Sequence, residues 1–503
     1  MTEALPLTTI GVVVLLAFGI GVILKRLGQN SVLGYIFAGI LLGPLGFAFL
    51  EPGSGLAYAF GEIGLFVLLF YLGIELSLKK FLSTGATATV LAFVDMLALT
   101  GGGTLLMLAL GYSTLFSLTV GIMLFCTSTA VVAKFIFDKK LNENPGALLA
   151  LAILIMQDFL ALLLLIFLSG VSASGSAWSI GLSAVVFVVA AFTVVRQLSV
   201  RVEAWLKNNG FGHSETTLYA LGIGLFAAMV GGIFGLSAGL GAYFAGFALS
   251  ETSAGNRIKT DLGFLREFFL LFFFVGFGTL LFYNPATGLA ALPGIDSLAI
   301  LVGLVAVLVA VIYLANFAVF GFIGRKMGLS NENASLGALL LTPIGEFAVI
   351  VATAVAAVLP AQESQLILSV AFLLILASVL SFQPAYSLRE HHERFMARLP
   401  FKRAETQSEI VPHSPDSLRN AKGLALNVFI IVCLIAVAFF IYDQGPTFNV
   451  PIPYSRVVTA GVALILFSIY PVTRAAKYFR RLVNQKQFRA AATSPAHKRR
   501  KRK

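Results

Sequence analysis

Three acidic side chains set deep in apolar stretches are the residues of this sequence that could do chemistry. Asp158 stands eleven residues into an apolar run over 147–168, in Leu-Ile-Met-Gln-Asp-Phe-Leu, about 16 Å from its start at 1.5 Å per helical residue. Glu346 stands twelve residues into the run 334–359, in Leu-Thr-Pro-Ile-Gly-Glu-Phe, about 18 Å deep. Asp95 is the third. An ionisable group at the middle of a bilayer costs about 3 kcal/mol or more, so each acid needs a partner, a water-filled cavity or a task.

Two clusters of helix-weakening residues accompany them: Cys126-Thr127-Ser128-Thr129 within the run 115–134, and Thr342-Pro343-Ile344-Gly345 within 334–359. Proline and glycine release backbone groups from the helix, and serine and threonine hydroxyls offer those groups other partners. Interruptions at membrane depth are tolerated only around a cavity or inside protein. The two breaks fall in the fifth and twelfth apolar runs, so their spans cross the membrane in opposite directions. That arrangement is expected of inverted repeats whose crossed, discontinuous helices flank an ion site at the midplane. A carboxylate there binds a proton or a monovalent cation, one at a time. If the loaded site reorients and the empty, charged site does not, proton flow one way drives cation flow the other.

The elements that must position these groups follow from composition. Of 503 residues, 58% are hydrophobic and only 12% charged, about half the charged share of a soluble domain. Such a chain cannot coat itself with polar surface, so lipid solvates its outside. Disorder, collagen and a disulfide scaffold are excluded, the last because Cys126 and Cys433 are the only cysteines and both lie in apolar runs. Fifteen runs long enough to approach a span are read at 8–24, 33–49, 60–78, 86–111, 115–134, 147–168, 178–195, 216–232, 236–250, 264–283, 298–324, 334–359, 364–386, 424–442 and 456–472. With the N-terminus outside, all of the 35 lysines and arginines except Arg456 fall on the inner side. That bias predicts an outer N-terminus and a cytoplasmic C-terminus. The net charge of +12 therefore reports topology, and no nucleic-acid partner is expected. Cytoplasmic loops are expected to hold Arg196, Arg201 and Lys207, then Arg257, Lys259 and Arg266. The outer loops, among them Asn284–Asp296, are short.

At this point the sequence resembles the second cation/proton antiporter subfamily, and within it the Kef-type potassium/proton antiporters. The resemblance covers about residues 8–386. It rests on the order of Leu33-Gly34-Tyr35 through Leu42-Gly43-Pro44, Gly73-Ile74-Glu75-Leu76, Ser128-Thr129-Ala130-Val131-Val132, Gln157-Asp158, Ala245-Gly246-Phe247-Ala248-Leu249-Ser250-Glu251 and Gly345-Glu346-Phe347-Ala348. It implies an all-α, thirteen-span inverted-repeat fold, here with two extra C-terminal spans, and a homodimer whose ion-carrying core moves elevator-like against a dimerisation domain. It also implies a site in which Asp158 binds the ion, Gln157 with Thr127, Ser128 and Thr129 completes the coordination, and Glu346 lies at or beside the second break. The Gln-Asp pair is similar to that of the potassium-selective branch; sodium exchangers more often carry Asp-Asp or Asn-Asp. Asn316 and Asp95 are candidate tuning positions.

Three features depart from the family pattern. Asn316 stands where many relatives carry a lysine, twelve residues before Gly328. No Gly-x-Gly-x-x-Gly follows a strand-like run, so nucleotide gating is expected only from a separate regulatory subunit. Runs fourteen and fifteen are additional to the family core. The expected organisation is an antiporter membrane domain over 1–386, a cytoplasmic linker over 387–422 with an amphipathic start, two further helices over 423–473, and a basic tail over 474–503 that attracts anionic lipid headgroups. No cofactor and no enzymatic activity are expected.

Plainer readings stand beside these. Asp158 and Glu346 could be buried structural acids. Asp95 could be a packed or cavity-facing acid, the hydroxyls of 127–129 could satisfy their own helix, and Glu62, Glu75 and Glu251 could be solvated near span ends. His391-His392 lacks a third metal ligand. The expected function is exchange of potassium first, or sodium, for protons across a cell membrane. The alternatives are a channel-like potassium pathway, for which Asn316 gives the motive, and a sodium-coupled organic-anion carrier.

Overall fold

Lipid offers no partner to backbone N–H and C=O groups, so apolar runs satisfy them within helices. The computed structural model describes residues 6–398, apart from 27–30, 53–54, 76–84, 142, 173–176, 234–237, 254, 285–288, 291–293 and 357, together with 473–474 and 477–478. The linker beyond residue 398, the runs 424–442 and 456–472 and nearly all of the basic tail lie outside the described residues.

The chain runs through α1 (Pro6–Arg26), α2 (Ser31–Leu42), α3 (Gly55–Glu75), α4 (Gly85–Ala109), α5 (Thr114–Phe125), α6 (Thr129–Asp138), α7 (Pro145–Ser172) and α8 (Ala177–Asn208). It continues with α9 (His213–Ile233), α10 (Ala238–Ser250), α11 (Gly255–Thr279), β1 (Tyr283–Asn284), β2 (Leu289–Ala290) and α12 (Ile295–Ala318). A π-helical turn over Val319–Gly324 precedes α13 (Asn331–Leu340), α14 (Glu346–Ala356), α15 (Ala361–Ser387) and α16 (Arg389–Arg398). Among the described residues, six helices are long and apolar enough to cross a membrane, within α1, α4, α9, α11, α12 with its π turn, and α15. Five further stretches are shorter apolar helices.

The fold is helical as expected, with four differences from the apolar runs, the first being that the run 33–49 is helical only to Leu42. The runs 115–134 and 334–359 each divide into two helices, at the two clusters that predicted a break. Arg196, Arg201 and Lys207, expected in a loop, ride on the last turns of α8, and Arg257, Lys259 and Arg266 ride on α11. α8 runs on past its apolar stretch and α11 starts before its own, because the flanking residues, lysine and arginine among them, are good helix formers. The expected loop at 284–296 holds a two-stranded antiparallel ladder, Tyr283 opposite Ala290 and Asn284 opposite Leu289.

Two compact units make up the chain. The first comprises Met1–Lys80, Leu164–Val305 and Val349–Leu376. In it α3 packs against α10 with almost no side chain between. A methyl group added at Gly73 would lie 2.2 Å from the Tyr243 carbonyl oxygen, and one at Gly246 would lie 2.2 Å from that of Phe70. Only glycine allows so close an approach, and two stretches that carry the family resemblance thereby become one contact. Phe70, Ala242, Ala245 and Ala248 fill the core around it. Glu75 does not rest on solvation alone: Lys259 donates to its Oε1 at 2.5 Å, with the two side chains 38% and 28% exposed.

The second unit comprises Phe81–Leu163, Ala306–Ala348 and Ala377–Lys503. Within it α4 lies along α5, and α13 is flanked by the π turn and α16. The expected amphipathic start of the linker is α16. Its Met396 is fully buried, and the Met396 carbonyl accepts from Nη1 of the buried Arg325 at 2.5 Å. On the same helix the His392 ring lies 4.9 Å from that of Phe317. Every candidate site residue named above falls in this unit.

Candidate ion-binding site

The first break begins where α5 ends. Cys126 leaves helical geometry at φ −80°, ψ 74°, and its N–H still reaches the Met123 carbonyl at 3.2 Å. Ser128 (φ −79°, ψ 101°) then caps α6, its hydroxyl oxygen accepting from the Val131 N–H at 3.4 Å. Hydroxyl residues favour such capping positions because they replace the missing partners of a helix's first N–H groups. The second break begins at Leu341. Pro343 has no N–H to continue α13, and the Thr342 hydroxyl turns back to donate to the Leu339 carbonyl at 2.8 Å.

The released backbone groups find each other across the breaks. The Ser128 N–H donates to the Pro343 carbonyl at 2.7 Å, and the Gly345 N–H donates to the Cys126 carbonyl at 2.8 Å. Thr127 and Ile344 face each other in an antiparallel bridge. The Leu341 carbonyl accepts from the Thr127 hydroxyl at 3.1 Å and from Asn316 Nδ2 at 3.0 Å. The Ile344 N–H donates to the Ser378 hydroxyl at 3.0 Å. Residues 126–128 and 341–345 are all buried, so these bonds stand in for water that cannot reach them. Gly345 admits the approach, since a Cβ there would meet the Ser128 Cα at 2.7 Å.

Asp158, on α7, reaches the start of α6. Its Oδ2 accepts from the Thr129 hydroxyl at 3.1 Å, and Thr129 is the first residue of α6. The unsatisfied N–H groups and dipole of a helix start favour negative charge, so the position suits a carboxylate. Asp158 is half-buried, while Thr129 and Ala130 are exposed. The carboxylate is therefore not sealed inside the protein. Glu346 is itself the first residue of α14, half-buried in its first turn, so the helix after each break has an acid at its start, lent by α7 at the first and its own at the second.

Gln157 precedes Asp158 and points to another neighbour, being about 100° further round the helix. Its Nε2 donates to Asp95 Oδ2 on α4 at 2.9 Å, with both side chains buried. The structure thus joins Thr127 and Ser128 to the second break, Thr129 to Asp158, Asn316 to Leu341, and Gln157 to Asp95. Sequence reasoning missed Ser378, one of five serines in α15 and not marked out from the others by its neighbours. It also missed the π turn that follows Asn316, which no residue type marks.

Two helices are thus interrupted side by side at a buried junction, one resuming at Thr129 against Asp158 and the other at Glu346. The chain belongs to the family described as sodium/hydrogen exchanger, transmembrane, which matches residues 12–387. It is 30% identical over 384 residues to the ammonium/H(+) antiporter subunit AmhT of Alkalihalophilus pseudofirmus, a match covering 75% of this chain and 93% of that one. It is 28% identical over 346 residues to the glutathione-regulated potassium-efflux system protein KefC of Klebsiella pneumoniae, covering 65% of this chain and 51% of that one. The sodium proton antiporter MjNhaP1 of Methanocaldococcus jannaschii shares the fold, with a TM-score of 0.51 at 16% identity over 78% of this chain and 98% of that one. These relatives are transporters, not enzymes, and the chain is a multi-pass membrane protein of the cation/proton antiporter family.

Proposed function

We propose that the protein exchanges a monovalent cation, potassium before sodium, for protons by elevator-type alternating access. Asp158 is the shared carrier. Neutralised by a proton or by a cation it crosses between the two faces; empty and charged it does not, because an unpaired charge at that depth costs several kcal/mol. Thr127, Ser128 and Thr129 shape the first break, Gln157 adds an amide oxygen to the cation's coordination, and Glu346 tunes the second break. The observation that carries this reading is the Thr129 hydroxyl donating to a half-buried Asp158 at the start of α6. The similarity to a potassium-efflux protein supports the cation class, and that to an ammonium/H(+) antiporter subunit puts ammonium into the assay panel.

The same reading places the protein in a cell membrane as a homodimer, N-terminus outside and C-terminus in the cytoplasm. The basic tail lies against anionic headgroups, and a separate regulatory subunit is a candidate partner. In proteoliposomes, Asp158→Asn abolishes pH-dependent cation flux while the purified protein stays monodisperse. Exchange retained in that variant refutes the site.

A further inference from the structure

Gln157 has a hydrogen-bond partner whose consequence reaches past its own residue. Asp95 on α4 is 0% exposed and Gln157 is 1% exposed, and the amide nitrogen of Gln157 donates to Asp95 Oδ2 at 2.9 Å across 62 residues of sequence. The other two oxygens of the pair, Asp95 Oδ1 and Gln157 Oε1, are buried and accept no hydrogen bond. A primary amide has a donating end and an accepting end that differ little in shape, so its rotation about the last bond must be set by a neighbour. A carboxylate, which can only accept, sets it: the nitrogen faces Asp95 and the carbonyl oxygen faces away. Carbonyl oxygens are ligands for alkali cations, whereas an NH2 group repels them.

We propose that Asp95 is a positioning residue that fixes the Gln157 amide so that its carbonyl oxygen, and not its NH2 group, is presented to the cation held at Asp158. The proposal rests on the reading of Asp158 and Gln157 as the cation site. Asp95 touches no ion; it acts through Gln157 alone. Asparagine at position 95 has the same shape, but it can donate to the Gln157 oxygen as readily as it accepts from the nitrogen, and so releases the amide to turn.

The test is a double-mutant cycle on the full-length protein in proteoliposomes, with potassium, rubidium and sodium as the transported probes. Asp95→Asn is expected to raise the potassium KM about tenfold, equivalent to about 1.4 kcal/mol, with Vmax within about twofold of the parent. Gln157→Leu is expected to raise it as much, and the double variant no further. A KM and a potassium-to-rubidium ratio do not depend on how much protein folds. Asp95→Ser, which also removes the carboxylate, supplies the same reading if the asparagine variant yields no protein. An unchanged KM in Asp95→Asn beside a raised KM in Gln157→Leu overturns the positioning role and leaves the site standing. So does a full addition of the two effects in the double variant. An unchanged KM in Gln157→Leu, or exchange retained in Asp158→Asn, overturns the reading of the site and the positioning role with it.

Discussion

Gly345→Ala tests the junction of the two breaks by adding a single methyl group. The new Cβ would stand 2.7 Å from the Ser128 Cα, 3.0 Å from its Cβ and 3.1 Å from its N. Unbonded carbons rest about 3.5–4.0 Å apart, so the two segments must part by close to 1 Å. That displacement falls on the bonds from the Ser128 N–H to Pro343 and from the Gly345 N–H to Cys126, now 2.7 and 2.8 Å long. Leaving a buried backbone group unsatisfied costs about 1–3 kcal/mol, so losing both places the penalty at about 2–6 kcal/mol. The appropriate control is Gly222→Ala in α9, where an added Cβ meets nothing within 4 Å and alanine gains about 1 kcal/mol of helix propensity. Thermal unfolding in detergent and cation-driven proton movement in vesicles are measured for both variants. Gly345→Ala should unfold at lower temperature and lose at least nine-tenths of its exchange (about 1.4 kcal/mol), while Gly222→Ala should match or exceed the parent. If Gly345→Ala melts with the parent and transports at the parental rate, the breaks are not in contact and the junction is wrong.

Asn316→Leu removes one of two donors to the buried Leu341 carbonyl and leaves the Thr127 hydroxyl in place, so it should destabilise by about 0.5–1.5 kcal/mol in chemical unfolding; no loss would show that Asn316 does not hold the second break. Glu75→Gln breaks a half-exposed ion pair with Lys259 and should change stability by less than about 1 kcal/mol, against the larger loss that a buried pair would give. His392 on α16 has a buried Nδ1 without a hydrogen bond, and burial first, the neighbouring His391 second, hold its imidazole below the ordinary 6.5. The undocked helix therefore binds more protons, and docking is at full strength above pH 6.5 and weakens as pH falls below it. Glu393, whose carboxyl is pushed up by burial and by Glu332, works in the opposite sense. Hydrogen-exchange protection over 389–398 should drop between pH 7 and pH 5 by a part that His392→Phe removes; an equal drop in both proteins would clear His392 of the effect.

The places where the helices break were legible in the sequence, because Cys-Thr-Ser-Thr and Thr-Pro-Ile-Gly are poor helix formers inside runs that otherwise favour helix strongly. Asp158 and Glu346 stood out for a similar reason, since a charge among leucines has no ordinary explanation. What each side chain touches was not. Asn316 and Leu341 lie 25 residues apart, Ile344 and Ser378 34 apart, and Asp95 and Gln157 62 apart. No local pattern encodes such pairings, which arise only once helices pack. Helix ends were misjudged where polarity was taken as a boundary: α8 carries its basic residues on continuous helix, because lysine and arginine are good helix formers whether or not lipid surrounds them.

The rungs that tie residues 126–128 to 341–345 make two distant stretches of chain a single mechanical part. Thr127 and Leu341 are separated by 214 positions yet share a hydrogen bond from the Thr127 hydroxyl to the Leu341 carbonyl, so loss of that hydroxyl is felt in the other stretch. Because most of these rungs end on main-chain atoms, the junction tolerates many side chains, and the position that binds the two stretches most tightly in sequence is Gly345, where any larger residue meets Ser128.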